Sequence, residues 1–308
     1  MSSQLSIDDL VGDRRRVRTE RLVHAALWAA GTFSVLVSAL IIFSLLREAW
    51  TFMVNVDWST VFGADGWFPR RGQYGIMTLI VGSLVVTVIA MVIATPVGIG
   101  TAIYLSEYAR PGVRRVLKPT IEVLAGIPSV VVGFFALTFI APDIIQRIRP
   151  ATPQQTLLAA GIGVGVMTIP IIASVSEDAM SAVPDALREA SYGLGARKLT
   201  TVLKVVLPAA VSGLVASFII AISRAMGETM VVFIAAGKSG GALFEWNPLQ
   251  PGLTMTAGMA SIAAGTDQVV GEGLTFQSLF FVGLVLFAIT MSLNLLADRF
   301  VRRFRQAY

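Results

Sequence analysis

The chain has 308 residues, of which 55% are hydrophobic and only 14% charged, against roughly 25% charged in soluble domains, so most of it is built to be surrounded by lipid. It has no cysteine and a single histidine, His24, which excludes disulfides and cysteine metal sites and leaves little for metal chemistry. A net charge of +5 in such a chain reads as membrane topology and contact with anionic lipid, not as a nucleic-acid surface.

Apolar runs long enough to cross a bilayer, which takes about 20 helical residues, lie at 22–46, 75–104, 119–141, 155–175, 207–236 and 276–297. Six transmembrane helices and an all-α integral membrane fold are expected. The first run exceeds the roughly 7–15 apolar residues of a secretory signal and further spans follow, so it reads as a retained helix. His24 sits at its edge, where interfacial packing or capping suffices. Pro96, Pro128 and Pro170 interrupt later runs, where neighbouring helices re-satisfy the freed backbone groups. In "GIGVG", Gly161, Gly163 and Gly165 offer small residues for close helix approach.

Lys and Arg set the orientation, because positively charged loops stay cytoplasmic. Arg14, Arg15, Arg16, Arg18 and Arg21 share one side with Arg110, Arg114, Arg115 and Lys118, with Arg188, Arg197, Lys198 and Lys204, and with Arg299, Arg302, Arg303 and Arg305. The other side has Arg47, Arg70, Arg71, Arg147, Arg149 and Lys238. Both termini are therefore expected in the cytoplasm. The chain divides into a basic segment (1–21), a first helix with an outer segment (22–74), a transmembrane domain (75–297) and a basic tail (298–308).

The longest cytoplasmic loop, about 177–208, contains "DALREASYG", a short amphipathic helix that Asp185 can cap and Gly193 or Gly195 can end. It either rests on the lipid interface or presents a ball to a socket on a cytoplasmic partner. Further on, "IIAISRAMGETMVVFIAAGKS" carries Arg224 and Glu228 within an apolar run. Such charges are costly in lipid and face a bundle interior or wet cavity. On one continuous helix they lie at i, i+4 on a shared face, as a packing ion pair or as a cation in an anion pathway with its counter-charge. The terminal "VFIAAGKS" fails as a phosphate-binding loop, because Val232 stands where the first glycine is needed and the stretch follows a membrane helix. Lys238 marks a span end or adds charge at the outer mouth. Glu122 reads as the start of the third helix and Glu107 and Asp298 as solvated ion pairs near helix ends. "NPLQPGLTMTAGMASIAAG" in the outer loop suggests a re-entrant or surface helix.

Glu189-Ala190, Gly195, the apolar Val205 and Leu207-Pro208 resemble the E-A-A loop of ABC-importer permeases, with Ser191 in place of the second alanine. That resemblance implies a type I importer permease fold and a loop helix, carrying Glu189, Ala190, Gly195, Leu207 and Pro208, that docks on an ATPase subunit. "QYGIMTLIVGSL", "IEVLAGIPSVVVGFF" and "SRAMGETM" are similar to the membrane subunits of bacterial phosphate ABC importers, and "GWFP" leans toward the C-type (PstC). It implies a homologous A-type permease, an ATPase dimer holding ATP and magnesium, an extracytoplasmic phosphate-binding protein, a bacterial inner-membrane location, no cofactor or catalysis in this chain, and transport roles for Arg224 and Glu228. In that role Glu228 would neutralise Arg224 when the pathway is empty and accept a hydrogen bond from a protonated phosphate, which sulfate cannot donate. The same machine for sulfate or molybdate is one rival. A secondary anion transporter or channel is another, and an intramembrane enzyme lacks a plausible catalytic set.

Overall fold

The first apolar run and the basic residues before it form one helix, α1 (Arg14–Asn55), in the computed structural model, which describes residues 14–63, 66–237, 241–265 and 273–304. The chain divides into two compact units, Met1–Glu48 and Ala49–Tyr308. In the first, every described side chain from Arg18 to Ser44 is exposed, including Leu27, Trp28, Phe33 and Leu40. An apolar helix with its backbone bonds closed internally is stable in hydrocarbon without protein cover.

The second unit begins with a short helix, α2 (Trp58–Phe62), capped by Asp57, whose carboxylate accepts the Ser59 N–H at 2.9 Å. Strands β1 (Gly66–Phe68) and β2 (Gln73–Tyr74) pair antiparallel, and β3 (Ala242–Leu243) adds to the other edge of β1, giving the order β2-β1-β3. This small sheet is the departure from all-α. It buries Trp67, while Phe52 packs against Tyr74 and Phe281 with ring centroids 5.0 and 4.9 Å apart.

The centre of the unit is the pair α3 (Ile76–Ile103) and α6 (Leu157–Ser181). Small residues let the two backbones approach closely. A β-carbon on Gly161 would lie 2.7 Å from that of Ile89, and one on Gly98 the same distance from that of Ile172. The close approach expected of "GIGVG" is realised here. Between them come α4 (Pro111–Ala125) and α5 (Ser129–Phe135), the latter continuing through a π-helical stretch, Ala136–Ile145, to Ile148. The third span therefore begins at Ser129, not near 119. Gly126 ends α4 and Pro128 starts the next helix, since a residue before proline is biased away from helix. Glu122 accordingly belongs to α4, an amphipathic helix with no buried residue, and does not open a membrane span.

After α6 come α7 (Asp185–Gly193) and α8 (Lys198–Thr201), which runs through π-helical Val202–Val206 to Ala209. Then follow α9 (Val211–Met226), α10 (Met230–Ala235), α11 (Met255–Ala263) and α12 (Thr275–Phe304). Among the described residues five helices are long and apolar enough to cross a membrane. A sixth span arises if Lys198–Ala209 and Val211–Met226, bent by 72°, count as one. The outer-loop helix is α11, which Thr254 caps and which is largely buried: Ser83 of α3 accepts the Met255 N–H at 2.9 Å. Lys238 lies outside the described residues.

Candidate functional site

Arg224 and Glu228 do not share a helix. α9 stops at Met226 with Gly227 as its C-cap, and α10 begins at Met230. Glycine weakens a helix by roughly 1 kcal/mol relative to alanine, and the next residue, Glu228, offers a side-chain oxygen to backbone N–H groups that would otherwise continue the helix. Glu228 Oε1 accepts from the N–H groups of Thr229, Met230 and Val231 at 3.1, 3.2 and 3.4 Å. Its carbonyl accepts the Thr256 hydroxyl of α11 at 2.6 Å, which fastens the break to the buried short helix.

The two charges thus have separate surroundings. Arg224 lies in the last turn of α9, where the partial negative charge of a helix C-terminus favours a cation. Glu228 occupies orphan donors at the start of α10. The expected ion pair is replaced by a helix break with one charge on each side. Arg224 is exposed and makes no hydrogen bond or ion pair among the described residues, and it lies about 20 Å along α9 from Val211 at the usual helical rise. Its neighbour Ser223 donates to Asn294 of α12 at 3.0 Å, holding the end of α9 in place. The sequence signal for the break is "GE": a C-capping glycine followed by a carboxylate that captures the next N–H groups.

The second group lies around α7. Pro184 stands at the N-cap and makes no side-chain cap bond, so Asp185 does not cap the helix; it sits in the first turn and bonds Arg188 at 3.2 Å. At the other end Gly195 takes φ +79°, with its N–H on the Tyr192 carbonyl at 2.9 Å. Nothing lies within 4 Å of where its β-carbon would be, so glycine is required by the backbone and not by space. Glu189, Ala190 and Leu194 face outward, Leu194 being 90% exposed. Leu207 is half-buried against Val206 and Ala210, and Pro208, one residue on, is exposed. The loop residues therefore form an exposed face on a short helix with a fixed exit.

Two buried carboxylates were missed as anchors. Glu107, 4% exposed, pairs with Arg188 at 2.9 Å across 81 residues, so it is not a solvated pair. Glu177, fully buried, receives Arg114 and, at 2.6 Å, Lys118, both from α4, while the Ser181 hydroxyl donates to it at 3.0 Å. Lys118 also reaches Asp178 at 2.5 Å. Burial pulls the Lys118 ammonium down, but its bonds to Asp178 and Glu177 and their charges prevail and hold it above its ordinary value of 10.5. The stability it contributes is complete below pH 10.5 and is lost as pH rises through the higher folded value. A cleft of about 480 Å³ beside this network is lined by Arg114, Arg115, Lys118 and Glu122. With Glu177 and Asp178 adjoining, its cations are matched by carboxylates, which makes it a joint and not an anion site.

A family model described as "Binding-protein-dependent transport system inner membrane component" matches residues 94–306. The phosphate transport system permease protein PstC of Mesorhizobium japonicum is 30% identical over 308 residues, covering 94% of this chain and 92% of that protein. The protein of the same name from Haemophilus influenzae is 32% identical over 295 residues, covering 87% and 91%. A probable ABC transporter permease protein, YqgH of Bacillus subtilis, is 39% identical over 204 residues, 65% of this chain and 66% of that protein. Among solved structures, a chain of a bacterial ABC transporter involved in import of the acidic polysaccharide alginate superposes with a TM-score of 0.66 at 13% identity, covering 95% of this chain and 99% of that one. At that identity the likeness speaks for the fold alone.

Proposed function

Because this chain belongs to the binding-protein-dependent inner-membrane transport components, and among them to the PstC permeases, we propose that it forms part of the pathway through which ATP hydrolysis on partner subunits drives phosphate inward. It is a multi-pass inner-membrane permease subunit of the type I importer fold. Permeases of this kind act with ATPase subunits and a periplasmic binding protein, and an alginate transporter related in fold has been captured with its ligand-bound periplasmic protein. For this chain the expected partners are a homologous A-type permease, an ATPase dimer carrying ATP and magnesium, and a phosphate-binding protein. Catalysis then lies in the ATPase subunits. The distribution of Lys and Arg supports a cytoplasmic position for both termini and α7.

The observation that carries the substrate reading is Arg224. A guanidinium at a helix break, without a protein partner among the described residues, has its planar fork free for two oxygens of an oxyanion. Glu228 sets the geometry of the break beside it and places a carboxylate near the same pathway. The reading is tested by ATP-dependent uptake of labelled phosphate and labelled sulfate into proteoliposomes holding the four-component complex. Phosphate uptake that requires ATP and is not displaced by excess sulfate is the expected result. Sulfate uptake at an equal rate would make the chain a permease for another oxyanion, and uptake without ATP would make it a secondary transporter.

The docking role of α7 has its own test at Gly195. A β-branched residue at a left-handed φ costs about 1–2 kcal/mol, whereas asparagine tolerates that region. Gly195→Val is expected to lower the amount of ATPase subunit co-purifying with the complex or to reduce phosphate moved per ATP, while Gly195→Asn stays near wild type. Equal behaviour of the two variants would remove the backbone argument for this position.

A further inference from the structure

α7 has nine residues and none of them is buried. A helix of that length is unstable on its own, so it is held by particular bonds, and most converge on Arg188. Its Nε and Nη2 donate to Glu107 Oε1 at 3.3 and 2.9 Å, Nη2 also donates to the Met180 carbonyl at 2.8 Å, and Nη1 donates to the Val183 carbonyl at 2.5 Å and Asp185 at 3.2 Å. A guanidinium has five N–H donors in a fixed fork, and here five acceptor contacts meet it. Glu107 belongs to the π-helical turn Tyr104–Tyr108 that ends α3. The Met180 and Val183 carbonyls lie at the C-terminal end of α6, where carbonyls lack helical partners. One side chain therefore bonds α7 to the ends of both helices of the central pair.

We propose that the Glu107–Arg188 bond is the strut through which displacement of α7 moves α3 and α6 as one body, with both residues acting as positioning residues in transport. The inference deepens the proposed function and rests on α7 being the helix that meets the ATPase. A force on α7 is either transmitted or absorbed by rotation of the short helix, and its other side-chain ties are slight: half-buried Leu187 and the Ser191–Thr201 hydroxyl contact at 2.8 Å. Beyond the strut, α3 and α6 are closely packed at Gly98 and Gly161, where a β-carbon would lie 2.7 Å from the isoleucine side chain opposite. Lysine at 188 would keep the charge and lose the fork.

The test uses the full complex with its binding protein in proteoliposomes, comparing wild type, Glu107→Gln, Arg188→Lys and, as a control, Asp178→Asn at a carboxylate 63% exposed that pairs with Lys118 and lies outside α7. ATP hydrolysis, phosphate uptake and subunit ratio are measured together. The strut predicts normal assembly and hydrolysis in both variants with phosphate moved per ATP down about tenfold or more, the scale on which losing a buried charged contact shifts a two-state equilibrium; the control stays at wild type. An unchanged ratio in assembled Glu107→Gln and Arg188→Lys complexes overturns it.

A second measurement does not depend on those variants folding. Spin labels at Ala186→Cys on α7 and Val97→Cys on α3, both exposed, are expected to keep one distance with and without ATP. A distance that changes on ATP binding overturns the strut. A wild-type complex that hydrolyses ATP and keeps that distance fixed without moving phosphate would instead overturn the proposed substrate.

Discussion

Arg224→Gln is expected to abolish phosphate uptake by at least about a hundredfold while the complex assembles in normal subunit ratio. At an effective dielectric of about 20, unit charges about 4 Å apart attract by roughly 4 kcal/mol, so loss of the cation has ample leverage for that factor. The structure sharpens the expectation, because Arg224 has no ion pair among the described residues that its removal would break. A purely structural arginine would show itself as a loss of stability or assembly. A pathway arginine should cost transport alone. Uptake in proteoliposomes set beside thermal unfolding of the purified complex separates them: persistent uptake removes Arg224 from the pathway, and a large drop in unfolding temperature assigns it to packing.

The largest stability effect is expected at Glu177. Glu177→Ala would strip the fully buried carboxylate from Arg114 and Lys118. Breaking a buried pair typically costs 3–5 kcal/mol; here the low end, about 3 kcal/mol, applies, because Arg114 and Lys118 are 38% and 28% exposed and can reach water. A fall of about 5 °C in the unfolding temperature of the solubilised complex is the corresponding reading. Asp178→Ala removes a carboxylate that is 63% exposed and should change stability by less than about 1 kcal/mol. Equal effects from the two would mean that Glu177 is replaceable by solvent.

How much of this was legible beforehand depends on the range of the interaction concerned. Span positions follow from local composition and could largely be read, whereas the sequence offered Gly193 or Gly195 as the exit of α7 and the positive φ falls at Gly195. The third span was misplaced because 119–125 is apolar enough to extend a run, while the facial pattern of α4 shows only when 111–125 is taken as a unit ended by Gly126. Glu107 could not be matched to its partner, since Arg110, Arg114 and Arg115 lie nearby in sequence and the actual partner is 81 residues away. Arg224 and Glu228 stand out in the sequence as charges within an apolar run. Their relation was misread because helix continuity was assumed across Gly227, where a glycine and a capping carboxylate together outweigh the apolar surroundings.

The glycine seam between α3 and α6 also has a practical use. Two helices packed this closely offer an internal ruler, against which displacement of any other element can be measured. Because the chain has no cysteine, a thiol probe on α3 and another on α9 would be the only reactive sites on this subunit, with no background substitutions needed. A pair spanning α3 and α6 calibrates the zero, and each distance from α3 to α9 then reports how far the helix that carries Arg224 travels during a transport cycle.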